Sequence, residues 1–207
     1  EEGADASQLL QQAGLLAVRE ARELTQAGFD GIILENFGDA PFYRDQVPAE
    51  TIASMAIIAA AVREATRLPI GINILRNDAR SALAIAAVSG CELVRVNVLS
   101  GVAASDQGIL QGDSAFLLRE RRRLNANTRI LADVHVKHAR SLSSDDIELA
   151  VEETAGRGGA DGIIITGSTT GRPVDLQQLE RASRACHHQG VPLYIGSGAT
   201  IANLPDL

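Results

Sequence analysis

The segment 129–139, RILADVHVKHA, places an aspartate, a histidine and a lysine at alternate positions. Because side chains alternate between the two faces of a β-strand, Asp133, His135 and Lys137 are expected to share one face, and His138 the opposite face. A carboxylate two residues from an imidazole can orient the ring for proton transfer, and a lysine can bind an anion or form a Schiff base. The segment therefore predicts an acid–base site or, alternatively, a buried polar network that fixes the register of the strand.

Polar residues also stand near the C-terminal ends of three earlier apolar segments, at Glu35, Asn73, Arg95 and Asn97. The same alternation directs all four toward the face that carries Asp133. A buried arginine needs an acidic partner or an anionic ligand. Arg95 is thus predicted either to bind ligand or to form a salt bridge with Glu35 or Asp133.

Three polar residues, Arg76, Asn77 and Asp78, follow the second of these segments and precede a helical pattern. This position at the end of a strand makes Arg76 and Asn77 candidate substrate-binding residues, together with Asn73. Asp78 is also a favourable N-cap for the helix, which by itself explains an aspartate there.

A divalent metal is an alternative partner for the acidic strand residues. Glu35, Asp133 and His135 offer oxygen and nitrogen donors of the kind that such ions take. No strict ligand spacing in the sequence supports the metal, and the sequence indicates no other cofactor. The ion is therefore an alternative to the acid–base site.

Two short glycine-rich segments follow the last two apolar segments, GSTTG at 167–171 and GSG at 196–198. Small residues there allow backbone N–H groups to approach an anion, and barrels often bind phosphate at this point. The alternative is a pair of ordinary turns between strand and helix. The candidate phosphate-binding residues are Gly167, Ser168, Gly196, Ser197 and Gly198.

All of these residues depend on six short apolar segments that alternate with helical patterns, an order typical of α/β folds with parallel strands. The predicted strands cover 30–36, 69–75, 92–98, 129–136, 161–167 and 192–198. The predicted helices cover 6–27, 49–67, 79–89, 112–125, 144–156 and 175–189.

Four consecutive strands direct polar side chains at one centre, which favours a (βα)8 TIM-type barrel over a doubly wound sheet with apolar central strands. A complete barrel takes about 250 residues, whereas this chain has 207, opens with a helix and stops just after a strand. We therefore predict one domain, 1–207, that holds six parallel strands, two to seven of the barrel, and lacks the first and the last. Its outer strands would be open edges, which favours pairing between chains in a homo-oligomer.

Composition excludes several classes of function. A net charge of −7 argues against a nucleic-acid partner, and the basic run at 119–123 is typical of a solvated helix face. The longest apolar run is far shorter than the ~20 residues of a transmembrane helix. Cys91 and Cys186 lie far apart without metal-ligand spacing, which predicts free thiols and a cytoplasmic location.

Two long loops complete the pattern. The loop 36–48 holds Phe37, Phe42 and Tyr43, half of the six aromatic residues of the chain, which predicts a ligand cover or a contact surface for a partner or a neighbouring subunit. The glycine-containing loop 100–112 is a candidate lid, with an ordered rim as the alternative.

Several long segments resemble the BtpA family of proteins. They are DGIILENFGDAPF (30–42), GINILRNDARSALAIA (71–86), VRVNVLSGV (94–102), DQGILQG (106–112), ILADVHVKHA (130–139) and IGSGAT (195–200). The resemblance covers nearly the whole chain and implies a barrel of the ribulose-phosphate-binding type. The family is associated with photosystem I biogenesis but also occurs in organisms without photosynthesis. This resemblance implies a membrane-complex partner and a location peripheral to a membrane.

Two functions are compatible with these observations. The inward polar residues favour a barrel that binds or transforms a small phosphorylated, sugar-like compound through acid–base chemistry of the isomerase, lyase or hydrolase class, with Glu35, Asp133, His135 and Lys137 as catalytic candidates. The family association favours a non-catalytic assembly factor for a membrane complex such as photosystem I, with the aromatic loop as its contact surface. A role in assembly does not exclude a catalytic site.

Overall fold

The computed structural model describes residues 5–167 and 173–206. The helices of this part of the chain are α1 (Ala6–Gln26), α2 (Ala49–Ala65), α3 (Ala79–Ser89), α4 (Ser114–Arg123), α5 (Ile147–Glu152) and α6 (Leu176–Gln189). Its strands are β1 (Ile32–Glu35), β2 (Ile70–Asn73), β3 (Leu93–Val96), β4 (Val102–Ser105), β5 (Gly108–Gln111), β6 (Arg129–Val134), β7 (Ala139–Ser141), β8 (Gly162–Ile165) and β9 (Leu193–Ile195). Single turns of 3-10 helix cover Phe37–Asp39 and Leu204–Asp206, and a π-helical turn covers Glu153–Arg157.

Six of the strands form one parallel sheet in the order β1-β2-β3-β6-β8-β9. Neighbouring strands of this sheet belong to consecutive strand–helix units of the chain. The short strands β4, β5 and β7 lie outside this sheet. The sheet curls into part of a cylinder with its C-terminal strand ends at one rim, as in a partial TIM-type barrel. The predicted α/β class and the six parallel strands are therefore confirmed.

The hydrophobic core lies between the convex face of this sheet and the helices. Outward-pointing strand residues are fully buried and apolar: Ile70, Ile72, Val94, Ile130, Ala132 and Ile163. Small residues on the helices, such as Ala59, Ala82 and Ala86, are equally buried and let the helices approach the sheet closely. Burying an aliphatic side chain contributes about 1.5–3 kcal/mol. The apolar face of each strand thus turns outward to the helices, and its polar residues turn inward.

Aspartates set the starts of the helices on this scaffold. The side chain of the aspartate before each of α1, α3, α4, α5 and α6 accepts a hydrogen bond from a backbone N–H of the first turn; these residues are Asp5, Asp78, Asp113, Asp146 and Asp175. Such caps stabilise a helix by about 1 kcal/mol each, because the first N–H groups have no partner within the helix. The caps therefore fix where each strand-to-helix connection ends.

The loop 100–112, one interpretation of which was a lid, is an ordered antiparallel hairpin. Strands β4 and β5 pair from Val102 with Gln111 to Ser105 with Gly108, around a two-residue turn. The short strand β7 pairs with the other edge of β4, so that the three strands form a second sheet, β5-β4-β7. Ala103 and Leu110 of this sheet pack with Val98 and Val136 in a small separate hydrophobic core. The hairpin is thus a packed rim over the C-terminal ends of the main sheet.

Strand β6 is shorter than predicted, because it ends at Val134. His135 and His138 adopt left-handed backbone conformations, with φ of 51° and 59°, which a β-strand does not tolerate. Strict alternation of side chains therefore stops after Val134. The prediction that His135 and Lys137 continue the inner face of the strand, and that His138 lies on the opposite face, fails for this reason.

The two cysteines, Cys91 and Cys186, are buried and unpaired, as predicted for free thiols. Within the described ranges, no helix has both the length and the apolar character needed to cross a membrane.

Candidate functional site

Arg95 on β3 lies at the centre of a buried charge network. Its Nε and Nη2 donate to the two carboxylate oxygens of Asp133 on the neighbouring strand β6, at 3.0 and 2.9 Å. Its Nη1 donates to Oε1 of Glu35, at the end of β1, at 3.2 Å. Burial by itself would lower the pKa of Arg95, but the two carboxylates outweigh it and raise the pKa. Of the two roles expected for Arg95, the salt bridge is therefore formed, and with both acids.

Two asparagines extend this network. Asn97 Nδ2 donates to Asp133 Oδ2 at 2.7 Å, so the Asp133 carboxylate accepts three hydrogen bonds in all. Asn73 Nδ2 donates to the Arg95 carbonyl at 3.0 Å and to Asn97 Oδ1 at 3.4 Å. Asn73 Oδ1 is buried, and no polar atom of the described residues lies within hydrogen-bond reach of it. The Asp133 carboxylate is thus committed to the network, whereas Asn73 retains an unused acceptor.

A second arginine, Arg76, lies just after β2 and is 5% exposed. Its backbone N–H donates to the Tyr43 carbonyl at 2.9 Å, and its Nη2 donates to the Lys137 carbonyl at 2.6 Å. Its Nε is buried and finds no acceptor in the described part of the chain. Burial lowers the pKa of Arg76, and the negative charges of Asp133 and Asp106 only partly offset this effect.

These residues enclose one pocket at the C-terminal rim of the sheet, with a volume of about 230 Å³. We call it the mouth pocket. Its walls are formed by Glu35, Phe37, Phe42, Asn73, Leu75, Arg76, Arg95, Asn97, Asp106, Lys137 and His138. The polar side chains come from the ends of adjacent strands, which is where barrel enzymes carry their active sites.

Two loops cover the mouth pocket. In the loop after β1, the rings of Phe37 and Phe42 pack against each other with centroids 6.2 Å apart, and Phe37 remains 63% exposed. The turn of the β4–β5 hairpin adds Asp106 from the other side, with Gln107 Nε2 donating to Asp106 Oδ2 at 2.6 Å. The pocket thus has an aromatic rim on one side and a negatively charged rim on the other.

His135 does not join this pocket. Its Nε2 lies 2.9 Å from the Ser144 carbonyl, and its ring lines a separate cavity of about 50 Å³ beside the hairpin and α5. Asp133 also borders that cavity, but among the described residues its carboxylate bonds Arg95 and Asn97 and not the imidazole. The expected Asp133–His135 pair is therefore not formed, because the backbone turns at His135.

Lys137 and His138 do reach the mouth pocket, by way of the turn rather than along a strand. The Lys137 N–H donates to Thr166 Oγ1 at 3.1 Å and its carbonyl accepts from Arg76 at 2.6 Å. Held from both sides, the Lys137 backbone fixes the start of its side chain at the pocket wall.

Asn77 and Asp78 serve the framework. Asn77 Nδ2 donates to the Val98 carbonyl at 3.1 Å, and Asn77 Oδ1 accepts from the Val98 N–H at 2.8 Å. The Asp78 carboxylate accepts from the backbone of Val47 and from both the backbone and hydroxyl of Ser81. Asn77, predicted as a substrate ligand, instead ties the ends of β2 and β3 together.

The glycine turns give a mixed result. The Gly196 N–H donates to the Ile165 carbonyl at 2.8 Å, and the Gly198 carbonyl accepts from Asn203 at 2.9 Å. The Ser197 hydroxyl is buried without a partner in the described residues. Gly167 ends the stretch after β8, and Ser168 lies outside the described residues. The Gly196 N–H is therefore occupied by the sheet rather than available to an anion.

The geometry does not assemble the three residues considered as metal ligands. In the described ranges, no cluster of three or more His, Cys, Asp or Glu side chains is arranged to hold an ion. Arg95 lies between Glu35 and Asp133, and His135 bonds the Ser144 carbonyl.

Sequence reasoning missed two residues of this region. Asp106 lies in a DQG turn between two short alternating segments, which is a recognisable hairpin signal. Asn36 is 7% exposed and bonds both the N–H and the carbonyl of Leu75, which joins the ends of β1 and β2. No pattern in the sequence distinguishes such a bracing asparagine from a ligand-binding one.

Comparison with known proteins places this geometry in a family. The model of the BtpA family matches residues 9–207. The chain is 48% identical to the photosystem I biogenesis protein BtpA of Synechocystis over 191 residues, which are 92% of this chain and 66% of that protein. The chain belongs to the BtpA family.

Several further relatives come from archaea and are named only as uncharacterised proteins. One uncharacterised protein of Methanocaldococcus jannaschii is 47% identical over 91% of this chain and 70% of its own length. The chain spans just under two thirds of the Synechocystis BtpA protein.

Solved structures resemble this BtpA-family chain in fold alone. A mandelate racemase/muconate lactonizing enzyme-like protein from Rubrobacter xylanophilus matches with a TM-score of 0.60 and 18% identity, over 91% of this chain and 44% of that one. A dipeptide epimerase from Enterococcus faecalis, complexed with Mg and a dipeptide, matches with a TM-score of 0.54 and 17% identity, over 88% and 43% of the two chains.

Proposed function

We propose that the mouth pocket binds a small phosphorylated, sugar-like compound and transforms it by acid–base chemistry. One observation carries the proposal: Asn73 Oδ1 and Arg76 Nε, an acceptor and a charged donor, are both buried at the pocket wall with no partner among the described residues. Burying polar groups without hydrogen bonds costs about 1–3 kcal/mol each, and more for a charge. A ligand that presents a hydroxyl to Asn73 and an anionic oxygen to Arg76 removes both costs.

The charges of the pocket support an anionic ligand. Arg95 is neutralised by Asp133 and Glu35. None of the ion pairs formed by the described residues includes Arg76 or Lys137. Two cations at the pocket wall are suited to a phosphate, and amide side chains beside them are suited to sugar hydroxyls.

Glu35 is the residue best placed for proton transfer. Its Oε1 accepts from Arg95, and its side chain is 27% exposed at the pocket wall. Asp133, by contrast, is fully buried and accepts three hydrogen bonds, so we assign it the role of positioning Arg95. A carboxylate held by an arginine beside a bound sugar can move a proton on a carbon or an oxygen, as isomerases, lyases and hydrolases require.

Paired ligands test this proposal. Thermal melts of the protein with a panel of sugar phosphates, each beside its unphosphorylated sugar, are expected to show stabilisation by a phosphorylated member only. Asn73→Ala should abolish that shift, and Asn127→Ala, in the exposed turn before β6, should retain it. A panel in which sugars and sugar phosphates act alike would contradict the proposal.

A second candidate function is assembly of a membrane complex. It is supported by the 48% identity to a protein named for photosystem I biogenesis and by two exposed aromatic residues after β1, Phe37 at 63% and Tyr43 at 59%. Buried aromatic residues often dominate interface energies. In a strain that lacks its own BtpA-family protein, Phe37→Ser with Tyr43→Ser should then fail to restore assembly while Glu35→Gln restores it. The opposite pattern would favour the enzyme.

A further inference from the structure

We propose that Arg76 and Lys137 form the anion subsite of the mouth pocket, and that Asp106 on the hairpin turn is a specificity residue that weakens anion binding there. This inference rests on the proposed function and locates its phosphate. It places the anion beside the end of β2 and the turn after β6, where Arg76 and Lys137 line the mouth pocket.

The two arginines of the mouth pocket differ in their hydrogen-bond partners. Arg95 has two carboxylate partners within 3.2 Å. Arg76 is similarly buried, yet among the described residues its guanidinium donates to a single neutral carbonyl, that of Lys137. A buried guanidinium is costly unless an anion compensates it, and its planar donors match phosphate oxygens. Arg95 is therefore the structural arginine, whereas Arg76 has no carboxylate in salt-bridge contact among the described residues.

The Arg76 guanidinium is also held in place before any ligand arrives. Its backbone N–H is fixed by the Tyr43 carbonyl and its Nη2 by the Lys137 carbonyl. The same Lys137 residue is anchored through its N–H to Thr166. One hydrogen bond thus links the two cationic residues, and Arg76 Nε is left buried without a partner among the described residues. Pre-positioned donors lose little conformational freedom on binding, which favours affinity.

Gly196, in the turn after β9, has no free backbone donor for an anion. The Gly196 N–H already donates to the sheet, and a Cβ at that position would lie 3.1 Å from Arg95 Nη2. The turn after β9 therefore packs against the neutralised arginine. The Gly196 N–H is therefore not available to a phosphate.

Asp106 lines the mouth pocket together with Arg76, and its negative charge acts to raise the pKa of the Arg76 guanidinium. The hairpin that carries it is tied to β7 by regular pairing, so the carboxylate is held over the pocket. A bound phosphate must share the subsite with this charge. Asp106 thus lowers affinity for multiply charged anions relative to singly charged ones.

Calorimetric titration of the full chain with inorganic phosphate tests the subsite. Arg76→Gln and Lys137→Gln should each weaken binding at least about tenfold, the effect of losing one charge-assisted hydrogen bond. Asp106→Asn should strengthen it about threefold to tenfold by removing a repulsive charge. Arg119→Gln, on the exposed face of α4, is the matched control and should bind like the wild type.

Three results of this titration would overturn the subsite. Phosphate that binds Arg76→Gln and the wild type equally, or that does not bind the wild type, contradicts it, and so does Asp106→Asn with weakened binding. If Arg76→Gln does not fold, the other two variants still test the subsite, because Lys137→Gln should weaken phosphate binding and Asp106→Asn should strengthen it. Sugar phosphates that bind Arg76→Gln normally would leave the proposed function standing without this subsite. Sugar phosphates that bind no better than phosphate would leave the subsite without the proposed function.

Discussion

Arg95 and Asp133 form a two-pronged salt bridge between adjacent strands, with N–O distances of 3.0 and 2.9 Å and a fully buried carboxylate. Removal of one member of a buried pair leaves the other charge uncompensated, at a cost of about 3–5 kcal/mol. This relationship changes the expected role of Asp133 from a proton-transfer residue to a structural anchor for the pocket.

Asp133→Asn should therefore lower the free energy of unfolding by about 3 kcal/mol. The loss is smaller if Glu35 continues to compensate the charge of Arg95. Urea denaturation followed by circular dichroism measures this loss. Asp45→Asn is the control, because Asp45 pairs with Arg44 at the surface, at 2.6 Å, and such pairs contribute about 0–1 kcal/mol. Equal losses in the two variants would show that burial does not strengthen the Arg95–Asp133 pair.

A side chain at Gly196 should disturb the same arginine. A Cβ there would lie 2.7 Å from Ile164 Cγ2, 2.9 Å from Thr166 Cγ2 and 3.1 Å from Arg95 Nη2. Gly196→Ala is expected to lower stability by about 1–3 kcal/mol through overpacking. Gly14→Ala, within α1 where a Cβ meets nothing within 4 Å, should instead raise it by about 0.5–1 kcal/mol. Thermal melts should show a lower melting temperature for Gly196→Ala and a higher one for Gly14→Ala. A higher melting temperature for Gly196→Ala would contradict the close packing at this position.

His135 is expected to matter for the turn and not for ligand binding. Its φ of 51° suits asparagine or glycine, whereas a β-branched residue there is strained by about 1–2 kcal/mol or more. His135→Asn should therefore keep most of the stability, and His135→Val should lose it. Folded His135→Asn should bind sugar phosphates as the wild type does. A large loss of ligand affinity in that variant would restore His135 as a site residue.

The two buried thiols should make the protein less stable at alkaline pH. Burial raises the pKa of the Cys91 and Cys186 thiols to about 11, from the ordinary 9.0. As the pH rises, the unfolded chain therefore loses the two thiol protons before the folded protein does. The free energy of unfolding keeps the full contribution of the protonated thiols below pH 9.0, and this contribution falls as the pH rises toward 11. The free energy of unfolding should fall by about 2 kcal/mol per thiol across that range.

Urea titrations at several pH values measure that fall. The matched variant, Cys91→Ala with Cys186→Ala, starts from a lower stability because of the cavities it creates, but its curve should be flatter. Parallel curves for the two proteins would mean that other groups cause the alkaline loss.

The sequence allowed the fold and much of the pocket to be predicted because both depend on strand periodicity. Alternation placed Glu35, Asn73, Arg95, Asn97 and Asp133 on the inner face, and the structure brings these five together. The helices and strands were found because their outer faces are apolar and aspartates cap the helix starts.

Prediction from the sequence failed where the chain leaves regular structure. Left-handed backbone at His135 and His138 ends the alternation, and histidine gives no warning of it. The sequence predicts a ligand-binding role for Asn77, because an amide that pairs with a neighbouring backbone, as Asn77 does with Val98, has no sequence signature. Asp106 was overlooked because its position over the pocket depends on the pairing of β4 with β7, a contact distant in sequence.

A crystal structure of the protein with ribose 5-phosphate tests the central claim most directly. The account predicts the phosphate within hydrogen-bond distance of Arg76 Nε and beside Lys137, and a sugar hydroxyl that donates to Asn73 Oδ1. Glu35 should then lie next to the sugar carbons. A ligand found at the glycine turns, or only at lattice contacts with the mouth pocket empty, would contradict it.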